Sequence, residues 1–195
     1  MRQLDGVNLP SNLTSISVSE FTDCTSLTTI SIPCRVTTVG RGAFGYCPML
    51  TNVVIPSAVT NINQYAFSES GLVSIYFEGN APAAVEGVFS GDNVTAYYLP
   101  DTTGWEEFST NADIQAVLWN PAIQTSDGKF GVQNDQFGFD ITGTANIPIV
   151  IEVCTNLASP VWVPLQTCTL TNGLVYFSEA AQTNTSGRYY RIRSP

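Results

Sequence analysis

Sixteen Asp and Glu side chains are the groups in this 195-residue sequence best able to do chemistry, and their surroundings limit what that chemistry is. Glycoside hydrolysis needs two carboxylates held roughly 5 to 9.5 Å apart across a cleft. No spacing here singles out such a pair. Glu106 and Glu107 are adjacent, so they diverge on a strand or splay by about 100° on a helix, as a solvated surface does. The sequence contains no histidine, which removes the usual general base near neutral pH, the commonest metal ligand, and with them serine and cysteine triads. There is no phosphate-cradling glycine loop, nucleophile elbow or Cys-x-x-Cys pair. The expectation is a protein with no catalytic residues, no cofactor and no metal site; a carboxylate-based glycoside hydrolase is a distant alternative.

Charge narrows the partners. Seven Lys and Arg against sixteen Asp and Glu leave a net charge of −9, so the chain lacks the phosphate-neutralising cations on which nucleic-acid affinity mostly rests. No Lys or Arg occurs between Arg41 and Lys129, while Glu69, Glu78, Glu86, Asp92, Asp101, Glu106, Glu107 and Asp113 all do. Such a stretch could bind Ca²⁺ or steer a cationic partner, but without an Asp-x-Asp-x-Asp loop it reads first as a soluble surface. No apolar run is long enough to span a bilayer, and the first thirty residues carry no export signal. Asn12, Asn93 and Asn184 begin glycosylation triplets of a kind common by chance in a chain rich in Thr and Asn.

The residues that dominate the pattern are structural. Phe21, Phe44 and Phe67 stand 23 residues apart, and the same step links Leu13, Val36 and Val59, then Ile16, Val39, Ile62 and Val85, then Cys24 and Cys47. A Leu-x-x-Ile-x-Ile block, usually closed by Pro, recurs at Leu4-Val7-Leu9, Leu27-Ile30-Ile32, Leu50-Val53-Ile55, Leu72-Ile75-Phe77 and Val94-Tyr97-Leu99. Alternation marks each block as a short half-buried strand, and the proline ends its ladder. No unit of this size buries its own apolar side, so units stack. The fold expected is all-β: a β-solenoid of about five coils, beginning inside a repeat as a fragment of a longer protein would. Cys24 and Cys47 fall in one column; parallel side chains make a disulfide torsion awkward, and two buried thiols are expected.

The run Val36-Thr37-Thr38-Val39-Gly40 through Ala43-Phe44-Gly45-Tyr46-Cys47 resembles the BspA-type leucine-rich repeat of bacterial surface proteins, over about residues 4–100. The resemblance implies a secreted or surface-attached protein acting in adhesion or protein binding. Glu20 and Ser70 depart from the family's alanine and cysteine.

After Pro100 the repeat stops, and Trp105 and Trp119 are expected to cap the last coil; a sugar-stacking pair is the rival reading. The solenoid with its cap is assigned to residues 1–120. Residues 121–195 alternate over short segments divided by turn residues, as in an antiparallel β-sandwich of about seven strands. Phe137-Gly138-Phe139, Cys154-Thr155-Asn156-Leu157, Trp162 and Arg188-Tyr189-Tyr190-Arg191-Ile192 resemble a sandwich module that follows such repeats in large secreted bacterial proteins. A tight hairpin at Ala158-Ser159-Pro160 puts Cys168 several residues out of register with Cys154, and their pairing stays open.

Pleating decides which strand residues face solvent. With Val53 and Ile55 inward, the outward column reads Asn8, Ser31, Val54, Tyr76, Tyr98, beside Gly6, Thr29, Asn52, Ser74 and Ala96. Val54, Tyr76 and Tyr98 with Asn52 and Ser74 form the candidate surface for a protein or glycan ligand, since tyrosine offers area and a hydroxyl at low entropy cost. Self-association through uncapped repeat ends is the alternative.

Overall fold

The computed structural model describes residues 6–181 and 187–195. It divides into two compact units, residues 1–118 and 119–195. Asn184 and Leu4 lie outside the described residues.

In the first unit every coil contributes a longer strand and, in most coils, a two-residue one. These are β1 (Gly6–Asn8), β2 (Ser15–Ile16), β3 (Thr29–Ser31), β4 (Thr38–Val39), β5 (Asn52–Ile55), β6 (Asn61–Ile62), β7 (Ser74–Phe77), β8 (Ala83–Ala84) and β9 (Thr95–Tyr98). Helix α1 (Trp105–Ala112) and strand β10 (Gln115–Leu118) follow. The odd-numbered strands and β10 form one parallel sheet in the order β1-β3-β5-β7-β9-β10, and the short strands form another, β2-β4-β6-β8. Chain order equals sheet order, so the fold is the β-solenoid that the 23-residue step requires. The structure corrects the last step of the series Ile16, Val39, Ile62 and Val85, pairing Ile62 with Ala84 and leaving Val85 exposed.

Between the sheets runs the apolar filling. The rings of Phe21, Phe44, Phe67 and Phe89 stack with centroids 5.3, 5.2 and 5.8 Å apart and planes within 12° of parallel. Leu27, Val36, Leu50, Ile62 and Leu72 are buried around them. Cys24 and Cys47 are buried free thiols, and the Cys47 thiol donates to the Phe21 carbonyl of the preceding coil at 3.1 Å. Burial pushes the Cys47 thiol up to about 11, so it stays protonated at neutral pH.

The turns that return the chain carry a second regularity. Ser19, Gly42, Tyr65 and Gly87 occupy one column and all have positive φ (53°, 61°, 61° and 82°); Asp23, Tyr46, Glu69 and Gly91 occupy another (59°, 57°, 52° and 87°). Two left-handed residues per coil close each turn, and aromatic residues there are held against their own preference.

A helix and one further strand close the stack. The polar stretch after Gly104 is a helix, because Trp105, Phe108 and Ala112 fall at helical spacing on one buried face. Strand β10 then extends the ladder, pairing with β9 from Gln115↔Thr95 to Leu118↔Tyr98. The cap is built on Trp105, which stacks on Tyr98 at 4.8 Å and meets Phe77 edge-on at 5.0 Å. Trp119 falls in the second unit, where its indole N–H donates to the Pro148 carbonyl at 2.9 Å.

The second unit comprises β11 (Ala122–Ile123), β12 (Gly131–Gln133), β13 (Gln136–Thr142), β14 (Pro148–Cys154), β15 (Val163–Thr169), β16 (Leu174–Ala180) and β17 (Tyr189–Arg193). Strand β13 pairs with β11, β12 and β16, and β14 pairs with β15 and β17, all antiparallel. Tyr190 of the second sheet stacks on Phe137 of the first at 5.0 Å and meets Phe139 at 5.5 Å, which packs the two sheets as a sandwich. Cys168 stands opposite Ile149 and Cys154 opposite Tyr189; both thiols are free.

Candidate binding surfaces

The two buried carboxylates among the described residues, Glu152 and Asp140, each hold an ion pair, Asp140 through Oδ2 alone. Glu152 is 4% exposed and takes Arg191 and Arg193 at 2.7 Å each. Burial by itself raises its carboxyl, but the two guanidiniums outweigh that and hold it below the usual carboxylate range. Its contribution to stability is therefore complete above its unfolded value and is lost as pH falls through the lowered folded value. We predict that the gap in melting temperature between the wild type and Glu152→Gln narrows as pH drops below the carboxylate range; a gap independent of pH would contradict this. Arg191 also lies 4.4 Å from the Trp162 ring centroid, so this cluster braces β14 and β17.

Asp140, likewise buried, takes Lys129 at 2.8 Å, and Glu179 takes Arg188 at 2.9 Å. Among the described residues no group of three or more His, Cys, Asp or Glu could hold a metal ion. Glu106 and Glu107 are exposed on the first turn of α1. Asn12 and Asn93 are exposed.

The predicted sheet surface is placed in part. Cα register puts Asn52 beside Ser74 and Val54 beside Tyr76, so four of the five candidate residues come together. Tyr98 does not join them. It stands in register with Phe77, while Tyr97 is the neighbour of Tyr76, and Thr95, not Ala96, follows Ser74. The slip has a local cause: one residue separates Val94 from Ala96, whereas two separate Leu72 from Ile75. The Leu99-Pro100 ending imitates Ile55-Pro56 one residue too late, and Tyr98 turns into the core. On the outward face the Tyr76 and Tyr97 rings stack at 4.9 Å. Tyr76 is 5% exposed, while Val54, Asn52, Ser74 and Tyr97 are half-buried. Burial raises the phenols of both tyrosines above their ordinary range, and both stay neutral.

Sequence reasoning missed the turn side. There Tyr46 and Tyr65 are exposed beside Arg41, whose guanidinium carbon lies 5.6 Å from the Tyr65 centroid. The available signal was the column: each tyrosine occupies a position that other coils give to Ser, Gly, Asp or Glu.

A parallel solenoid of short strands, with one leucine column and one phenylalanine column per coil, defines the class of leucine-rich-repeat proteins. Within that class, the description "BspA type leucine rich repeat region" matches residues 1–112 in six copies, and the chain belongs to that family. Repeats of this family are usually found on surface or secreted proteins, and they serve as repeat-based surface or binding modules. No curated protein matches the chain. Among the described residues no helix is long and apolar enough to cross a membrane.

Proposed function

We propose that this protein is a non-catalytic extracellular or cell-surface module that binds a macromolecular ligand, protein or glycan, through the outward face of its six-stranded sheet. The stacked Tyr76–Tyr97 pair, flanked by Val54, Asn52, Ser74 and Thr95, carries the reading. Tyr76 is the buried support, and the half-buried residues around it are the contact surface. Rings already ordered by stacking lose little freedom when a ligand meets them, and regular strands fix their spacing.

An array of matrix proteins and glycans, probed with the wild type and with Val54→Asp and Tyr97→Ala, tests this. The expected result is a captured ligand whose binding weakens at least tenfold in both variants, with the melting temperature of Tyr97→Ala close to wild type. Binding unchanged in both variants would reject the sheet face. An empty array together with light scattering that grows with protein concentration would replace ligand binding by self-association.

A further inference from the structure

We propose that the turn side of the solenoid holds a second binding site, a groove for a linear, uncharged oligosaccharide. This rests on the reading of the chain as a binding module but not on the sheet face. The groove encloses about 450 Å³ and runs across successive coils from Val18 to Ser90. Its floor is shallow in side chains because Gly42 and Gly45 line it.

The walls are built. Tyr65 lies over the next coil where Gly87 stands, and a Cβ there would fall 2.9 Å from its Cε1. Glu69 lies over Gly91 in the same way, where a Cβ would fall 2.5 Å from its carboxyl carbon. Arg41 sits over the Tyr65 ring. Tyr46, 56% exposed, holds φ at 57°, a conformation in which the other coils of its column place Asp23, Glu69 and Gly91. A bulky exposed residue kept in the left-handed region is more readily understood as serving a ligand than as serving the fold.

The chemistry of the lining selects the ligand. Backbone donors along the groove are consumed between coils: Ser19 N–H donates to Arg41 O at 2.9 Å, Gly42 to Gln64 O at 3.1 Å, Tyr46 to Ser68 O at 2.9 Å and Glu69 to Ser90 O at 2.9 Å. A peptide adding as a strand finds no free ladder there. What remains are the exposed Tyr46 ring, the hydroxyls of Ser19 and Ser90, one guanidinium and one carboxylate, while the Tyr65 ring, held between Gly87 and Arg41, forms the wall. Aromatic faces take the apolar faces of sugar rings, and hydroxyls flanked by both a donor and an acceptor group suit a polyol. With a net charge of −9 and no Lys or Arg between Arg41 and Lys129, an anionic polysaccharide is repelled.

Titration calorimetry of the full chain with cellotetraose, xylotetraose, mannotetraose and maltotetraose, and with tetragalacturonate as the charged arm, tests the proposal. At least one neutral tetrasaccharide is expected to bind. Tyr46→Gly should weaken it at least tenfold while the melting temperature holds or rises, because glycine accepts the left-handed turn; Tyr97→Ala should leave it unchanged. Failure of all four to bind, tighter binding of tetragalacturonate, or affinity that survives both Tyr46→Gly and Tyr65→Gly would overturn it. Such a failure, with a ligand still held on the array by the sheet face, leaves the general reading standing.

Discussion

Phe44→Ala is expected to destabilise the solenoid by about 3–5 kcal/mol, the range for deleting a fully buried aromatic ring. Phe44 is 0% exposed and is one of two inner rungs of the stack, touching Phe21 on one side and Phe67 on the other. Removing it opens a cavity that neighbouring coils cannot close, because their backbones are fixed by Phe44 N–H to Ala66 O at 2.8 Å and Phe21 N–H to Ala43 O at 2.8 Å. Phe21, at 8% exposure with one stacked neighbour, should cost less when truncated. Urea unfolding followed by circular dichroism measures both. A nearest-neighbour stack also loses cooperativity when an inner rung is cut, so the Phe44→Ala transition should broaden. Equal shifts for the two variants would mean that stability is not set by the ladder.

The second large effect is expected at Asp92. In the column that holds Cys24 and Cys47, the third coil carries Ser70 and the fourth carries Asp92. One Asp92 carboxylate oxygen accepts the Ser70 N–H at 2.9 Å and its hydroxyl at 3.0 Å; the other accepts the Gly71 N–H at 2.9 Å. Ser70 is 0% exposed, so its N–H and hydroxyl depend on this carboxylate. Asp92→Ala orphans these donors, at about 1–3 kcal/mol for a buried group left unsatisfied, and the total loss is expected to be about 3 kcal/mol. Asp92→Asn retains one oxygen but turns an NH₂ toward a donor, and should fall between the two. Restoring the coil-two chemistry at position 70 alone, with Ser70→Cys, should not rescue Asp92→Ala, because the Gly71 N–H still lacks an acceptor. Thermal melts of the four proteins decide this; a loss under 1 kcal/mol for Asp92→Ala would show that the carboxylate is dispensable.

The same two columns show what the sequence makes legible. The phenylalanine ladder could be read directly, because a ring that must stack on its neighbour forces equal spacing along the chain. The sandwich strands were legible for the same kind of reason, each alternating between an inner and an outer face. The register of β9 was not, since a single-residue deletion between Val94 and Ala96 leaves the apolar pattern nearly intact while turning every side chain over. Helix α1 escaped notice because its apolar positions number three among polar residues. The turn groove was hidden for another reason: Tyr46 and Tyr65 look like ordinary aromatics until the backbone shows that their columns are left-handed. The sequence places Tyr76 in an exposed run, and the ring is 5% exposed, because a pleat assigns a direction and says nothing about how much water reaches the ring.

The short parallel sheet pairs Thr38 with Asn61 and Val39 with Ile62, and Ser15 with Thr38 and Ile16 with Val39, so consecutive coils meet through interchangeable junctions. Duplicating residues 38–60 would join like to like, since the added coil again sets a glycine at the position of Gly40, where a Cβ would meet the backbone of Ser17 at 2.6 Å. The reach of such a protein is thus adjustable by whole-coil recombination, in steps of one layer, without redesign of anything on either side.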